Sequence, residues 1–283
     1  MKIQKSFQND VPSLYLVATP IGNLKEMTPR AIEVLKSVDL ILAEDTRTSG
    51  HLLKHFEINT PTMSYHMHNE KQRLSLILDK LNQGQNIALI SDAGYPLIAD
   101  PGQTLVSEVT NHNYNVIPIS GSSAFLNALV ASGLVTQPFV FMGFLENKKS
   151  LIKEQLDKII DCDMTSIFYV SVHKLKNSLE ILYDTLGNRK IVLVRELTKM
   201  HEEFIRTDLK TINENDFTLK GEFVLVIEAS FEKEIFSIET LLEKIEEEIQ
   251  NGLSPSRSIS KVAKDYNYSK NELYNHYQTK IKN

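Results

Sequence analysis

The sequence predicts an α/β protein: two α/β domains facing each other across a cleft, followed by a small helical C-terminal appendix. Three observations carry this. Short apolar, β-branched runs alternate with segments of helical period through the first half, a pattern that gives a parallel sheet covered on both faces. Beyond Pro138 the strand-like runs begin to follow one another directly, so the second sheet is expected to be mixed. From Ser237 a single apolar stripe against a Glu-rich face is followed by two short helical segments. The chain of 283 residues is long enough for one or two sizeable cores. The expected domains are residues 1–121, 122–232 and 233–283.

In the first domain, residues 14–18, 40–43, 87–91 and 116–119 read as buried strands. Thr28-Pro29 supplies an N-cap and a first-turn proline ahead of Ala31, Ile32, Val34, Leu35 and Val38. Asn69 opens a helix with Leu74, Ile77, Leu78 and Leu81 on one face, and Gly84 closes it. A helix over about 122–132 leads to Pro138 and the second domain. There the strand candidates are 139–142, 167–170, 191–196, 203–206 and 222–228, with helices near 151–160 and 175–186. In the tail, Ile238, Leu241, Leu242, Ile245 and Ile249 form the stripe, and helices are expected at about 256–265 and 270–280. Ser269 and Glu272 form a capping box for the last.

Composition narrows the function. A net charge of −5 means that any nucleic-acid contact must come from basic groups gathered on one face. The tail is one candidate: from Asn251 onward Arg257, Lys261, Lys264, Lys270, Lys280 and Lys282 stand against Asp265 and Glu272. These cations read equally well as a solvated face. One cysteine, Cys162, excludes an internal disulfide framework and a multi-cysteine zinc site. His66 and His68 lack a third ligand at metal spacing, so no metal is expected. The first ten residues have no apolar core, and the apolar stretch 116–135 is interrupted by Ser120, Gly121, Ser122, Ser123, Asn127 and Ser132. Neither a signal peptide nor a bilayer span is expected, which makes the cytoplasm the expected location.

Ligands of parallel sheets gather where loops leave the carboxyl ends of the strands, and four such loops stand out. The first is 18–23, Ala-Thr-Pro-Ile-Gly-Asn, whose Pro20 and Gly22 let backbone approach a ligand, although it is not a dinucleotide fingerprint. The second, 43–47, brings Glu44, Asp45 and Arg47 off a buried strand, where charge is expensive unless paired or used. An Asp–Arg pair fixing the loop is the competing reading. The third, 91–102, packs Asp92, Gly94, Pro96, Asp100, Pro101 and Gly102 into twelve residues. Such a rigid turn presents amides and a carboxylate and suits the amino-acid end and ribose of a nucleoside ligand. The fourth, 119–124, sets Ser120, Ser122 and Ser123 at a helix amino terminus, which favours an anion or serves only as a cap. In the second domain, 194–206 is densely ionisable, with Lys199, His201 and Arg206 available to phosphates; a solvated hairpin is the alternative.

Taken in order, these segments resemble a known family. Leu-Tyr-Leu-Val-Ala-Thr-Pro-Ile-Gly-Asn (14–23), Ala-Glu-Asp-Thr-Arg (43–47), Ser-Tyr-His-Met-His-Asn-Glu (64–70) and Ser-Asp-Ala-Gly (91–94) are similar to the ribosomal RNA small-subunit methyltransferase I family of tetrapyrrole-methylase enzymes. Arg-Glu-Leu-Thr-Lys-Met-His-Glu-Glu-Phe (195–204) and Lys-Gly-Glu-Phe-Val-Leu-Val (220–226) extend the resemblance. It implies the tetrapyrrole-methylase fold, with S-adenosylmethionine held between the two domains. It also implies 2′-O-methylation of a cytidine in the decoding centre of 16S ribosomal RNA within the 30S subunit, by a homodimer. The cofactor would meet Pro20, Asp92, Ala93, Gly94, Ser120, Ser122 and Ser123 from the first domain. From the second it would meet Tyr169, Val170, Glu196, Leu197, Glu222 and Phe223. RNA would meet Arg47, Lys199, His201 and Arg206. The sequence departs from the family's pattern at Tyr95, at Ser120-Gly121-Ser122 and at 168–173, Phe-Tyr-Val-Ser-Val-His.

A carboxylate near the cleft would accept the proton of the attacked hydroxyl, and Glu44, Asp45, Asp92 and Glu196 remain open candidates. Two other readings stand: a precorrin-type or diphthine-type methyltransferase on the same fold, and a non-catalytic RNA-binding assembly factor resting on the tail alone.

Overall fold

A computed structural model describes residues 1–6, 8–230, 237–266 and 268–282, without the side chains of Lys264, Ile281 and Lys282. The expected boundary between residues 232 and 233 lies outside the described residues. So do the side chains of two of the tail's six counted cations, Lys264 and Lys282.

The chain divides into two compact units, Met1–Ser230 and Phe231–Asn283. In the first unit the order is β1 Ser13–Val17, α1 Pro29–Ser37, β2 Leu40–Ala43, α2 Thr46–His55, β3 Thr62–Ser64, α3 Glu70–Asn82, β4 Ile87–Ile90, α4 Gln103–Asn111 and β5 Asn115–Ile119. It continues with α5 Ala124–Ser132, β6 Phe139–Phe144, α6 Lys149–Leu156, β7 Thr165–Val170, α7 Leu175–Leu186, β8 Lys190–Arg195, β9 Glu203–Asp208, α8 Leu209–Glu214 and β10 Phe223–Ile227.

The first sheet runs β3-β2-β4-β1-β5, and every pairing in it is parallel. Strands β2 and β4 are buried throughout, as strands with helices on both faces must be. One face packs Val17, Ile41, Ala43, Ala88 and Ile90 against Ala31, Val34 and Leu35 of α1. The other packs Leu14, Leu42, Ile87 and Leu89 against α3 and α4. Helix α1 begins where the sequence places it: Thr28 Oγ1 accepts the Ala31 amide at 3.1 Å, and Pro29 fills a position whose N–H needs no partner.

The second sheet runs β6-β7-β10-β8-β9. Only β6 and β7 are parallel; the other pairings are antiparallel, so the sheet is mixed as expected. Along β8 the side chains alternate, Ile191 and Leu193 joining the core with α6, α7 and α8, Val192 and Val194 joining the opposite one. That second core contains Ala128 and Leu129 of α5 together with Ile21 from the turn after β1. The helix leaving the first sheet therefore packs on the second, and buried apolar surface joins the two halves.

Helix α6 starts and stops earlier than the expected 151–160. Elements α2, β3, α4 and α8 lie where the sequence reading had no element. The second unit holds α9 Ile238–Gln250, α10 Pro255–Asp265 and α11 Lys270–Lys282 around a core of its own, including Leu241, Ile245, Ile259, Val262 and Leu273. Within it Lys261 pairs with Glu248 at 2.6 Å and Lys280 with Glu246 at 2.7 Å, so two of the tail's cations are partnered by acids of α9. Among the described residues no helix is long and apolar enough to cross a membrane.

Candidate functional site

Because β1 lies between β4 and β5, the turns leaving these three strands share one end of the first sheet. They are fastened to each other through the backbone. Thr19 and Gly94 form an isolated antiparallel bridge, Thr19 N–H to Gly94 O at 2.8 Å and Gly94 N–H to Thr19 O at 3.0 Å. The Thr19 hydroxyl donates to Ser91 O at 3.1 Å. Gly121 lies so close to β1's end that a β-carbon there would sit 2.8 Å from Ala18 Cβ, and its N–H donates to Tyr95 Oη at 3.2 Å. The 91–102 turn also carries Leu97 (φ 70°) and Ala99 (φ 68°), a left-handed conformation that non-glycine residues hold only where their surroundings impose it.

The second half answers with a turn of the same kind after β8, where Glu196 (φ 50°) and Thr198 (φ 68°) are left-handed. Glu196 Oε1 accepts the Glu222 amide at 2.9 Å and the Lys199 ammonium at 3.1 Å. These bonds, the amide first and the lysine after it, hold its carboxyl below the usual range against the effect of burial. Lys199 Nζ also lies 2.8 Å from Glu222 Oε2. The stem of Lys199 crosses to the first half, where it covers Gly22 so closely that a β-carbon there would meet Lys199 Cγ at 2.6 Å.

Between these two sets of turns lies a cavity of about 490 Å³. From the first half it is lined by Asp92, Ala93, Gly94 and Ser123, and from the second by Tyr169, Val170, Leu197, Glu222 and Phe223. Pro20 borders a neighbouring recess of about 350 Å³. Ser120, Ser122 and Glu196 line neither: Ser122 Oγ donates to Glu26 Oε2 at 2.8 Å, Ser120 O accepts from Thr28 Oγ1 at 3.3 Å, and Glu196 braces its own turn. The two spaces share Ile21, Asp92, Ala93 and Glu222.

Asp100, Phe144 and His173 line the cavity as well, and the sequence reading had not marked them as ligands. Asp100 is the most perturbed group there. Burial pushes its carboxyl up to about 7, helped by the charge and hydrogen bond of Glu44 and by the charge of Asp92, against a hydrogen bond from Ser91. Across the cavity, burial raises the Tyr169 hydroxyl, against a backbone hydrogen bond at Phe125, and the Asp100 charge adds to the rise.

The other carboxylate candidates are differently placed. Asp45 caps α2, accepting the Arg47 amide at 2.8 Å. The Arg47 side chain binds both of its oxygens, at 3.1 and 2.8 Å, and those bonds hold Asp45 at about 2. The Asp45 amide in turn donates to Asp92 Oδ1 at 3.4 Å. Of the expected phosphate ligands, Arg47 is highly exposed on α2 and His201 is exposed. Arg206 instead donates to Ala131 O at 2.7 Å and Ser132 O at 3.0 Å, closing the end of α5, with its guanidinium over Phe204. Among the described residues no group of three His, Cys, Asp or Glu side chains is arranged to hold a metal ion.

Residues 13–213 match the family model of tetrapyrrole (corrin/porphyrin) methylases. The chain is 43% identical over 290 residues, 99% of both chains, to a protein of Bacillus subtilis (strain 168) named ribosomal RNA small subunit methyltransferase I. It is 46% identical to the protein of the same name from Synechocystis sp., over 92% of this chain and 95% of that one. Among solved structures it is similar to a diphthine synthase, with TM-score 0.58 and 13% identity over 76% of this chain and 89% of that one. A uroporphyrin-III-C-methyltransferase from Thermus thermophilus gives TM-score 0.54 and 14% identity over 76% and 94%.

Proposed function

The chain belongs to the tetrapyrrole methylase family, and from that premise we propose that it methylates ribosomal RNA, using S-adenosylmethionine and a cytidine 2′-hydroxyl in the decoding centre of 16S RNA within the 30S subunit. The relatives at 41–46% identity support the RNA substrate. The single observation that carries the reading is the cavity walled by turns from both sheets.

The cavity fits the cofactor in size and in chemistry. Its volume of about 490 Å³ falls in the range of small-molecule sites, roughly 300–1,000 Å³. Its walls are apolar at Ile21, Ile98, Val170, Leu197 and Phe223, as a nucleoside's faces require. The carboxylates of Glu44, Asp92 and Asp100 repel one another, so a cationic ligand relieves them. When bound, S-adenosylmethionine supplies a methyl group activated by its sulfonium. Asp92, Ala93, Gly94 and Ser123 would hold it from one side, and Tyr169, Val170, Leu197, Glu222 and Phe223 from the other. The protein's own work is alignment and exclusion of water.

The proton of the attacked hydroxyl needs an acceptor, and general-base efficiency is greatest when the group titrates near the working pH. Asp45 and Glu196 are spent on Arg47 and on the Glu222 amide. That leaves Asp92 and Asp100 beside Glu44. Within this group Asp100, pushed up to about 7, is the carboxylate that takes the proton at its Oδ.

Tritiated methyl transfer to 30S subunits from cells lacking the protein tests the reading. Label on one ribose of 16S RNA, located by nuclease digestion and mass mapping, is the expected result. No transfer to 30S subunits, or transfer to a tetrapyrrole instead, overturns it.

A further inference from the structure

The smaller recess adjoins the cavity but is built from different parts. Its floor is α2, with Thr48, Ser49, His51 and Leu52 turned toward it, and its facing wall is the turn after β1, through Pro20 and Leu24. Ser49 is only 3% exposed, and its hydroxyl is buried without a hydrogen-bond partner. A buried hydroxyl left unsatisfied is destabilising unless something supplies the missing bond. Leu24, 43% exposed, offers an apolar surface at the mouth, and the Lys199 ammonium stands at the far side.

From these features we infer that the recess receives the acceptor nucleotide, swung out of its RNA helix, and presents its ribose to the methyl group across the Asp92–Ala93 wall. The inference rests on the ribosomal RNA reading above. The recess volume of about 350 Å³ accommodates a single nucleotide and not a folded loop. Pro20, Leu24 and Leu52 give the flat apolar contact that an unstacked base needs, while Ser49, Thr48 and His51 supply donors and acceptors for its polar edge. Enzymes that act on a nucleotide inside a structured RNA must first extrude it, and a pocket beside the methyl donor is where it would arrive. Arg47, four residues before His51 and so on the same face of α2, has a side chain 88% exposed to meet the neighbouring phosphodiester. Asp92 borders both spaces, which sets the carboxylate group next to the hydroxyl that must lose its proton.

Thr48→Trp fills the recess from an exposed helix position and leaves the cavity lining intact. S-adenosylmethionine affinity by calorimetry is expected to be unchanged, while methyl transfer to 30S subunits falls by about 100-fold, the loss typical of a misplaced reactant. Leu24→Glu, on the opposite wall, puts a negative charge against the RNA backbone and is expected to raise KM for 30S about tenfold with a smaller change in kcat. It keeps the test open should the tryptophan variant fail to fold. Wild-type transfer by both variants, with the wild-type protein active, overturns the acceptor recess and leaves the methyltransferase reading standing. An inactive wild-type protein that still binds S-adenosylmethionine overturns the RNA reading and the recess with it.

Discussion

At the scale of single residues, the chemistry turns on which carboxylates are already spoken for. The sequence displays Glu44, Asp45, Asp92, Asp100 and Glu196 as equals, each in a loop after a strand. Folding separates them: Asp45 and Glu196 are pulled down by hydrogen bonds, while Asp100 is pushed up to about 7 by burial and by two acids distant in sequence. Asp100→Asn is expected to lower kcat for methyl transfer by about 10²- to 10⁴-fold and to remove the rise in rate through pH 7 that the wild type should show. An unchanged pH–rate profile in the variant would exclude Asp100 as the titrating group. Stability carries the same signature. A carboxyl whose folded value lies above its reference value of 3.8 contributes stability below that reference, and loses it as the pH rises through about 7. The melting temperature of Asp100→Asn relative to wild type should therefore climb between pH 4 and pH 8. Asp100 was visible in the sequence within the most informative loop, but its partner Glu44 was not. Proximity across a sheet leaves no trace in local spacing.

Among the elements, legibility follows the strength of the local signal. Helix α1 was readable because Thr28, Pro29 and the apolar stripe agree, and α7 because six of its twelve positions are buried. Helix α2 was not, since Gly50 interrupts it and Leu52 and Leu53 are its only apolar residues. Strand β3 is a three-residue edge, and α4 starts at Gly102 without a side-chain cap. The omission of α2 mattered most, because that helix forms the floor of the smaller recess. Two substitutions separate an element's stability from its contribution to the site. Thr28→Ala removes the cap of α1 and is expected to cost about 1 kcal/mol, seen as a lower melting temperature with S-adenosylmethionine affinity unchanged. Gly121→Ala forces a methyl against Ala18 Cβ and, at 3.2 Å, Ala18 O. It should destabilise by about 1–3 kcal/mol and also weaken S-adenosylmethionine binding, because the turns after β1 and β5 must part. Calorimetry on the two variants side by side distinguishes the outcomes.

For the whole molecule, the alternation of strand and helix was enough to give two α/β halves, one parallel sheet, one mixed sheet and a helical tail. It did not give the strand order that places β1 between β4 and β5, which long-range packing decides. The tail's core draws on residues of α9, α10 and α11 alone. Removing residues 237–283 is expected to leave S-adenosylmethionine affinity intact while weakening engagement of 30S subunits; equal activity of the truncated protein would give the tail a purely structural role. The wall shared by the two spaces, Asp92 and Ala93, has a kinetic corollary. With one turn of backbone between the chambers, both reactants must be resident together before a bond can change hands, and no covalent way-station on the protein is called for. Initial-rate plots at several fixed concentrations of each reactant should intersect in the pattern of a ternary complex, where a ping-pong enzyme would give parallel lines.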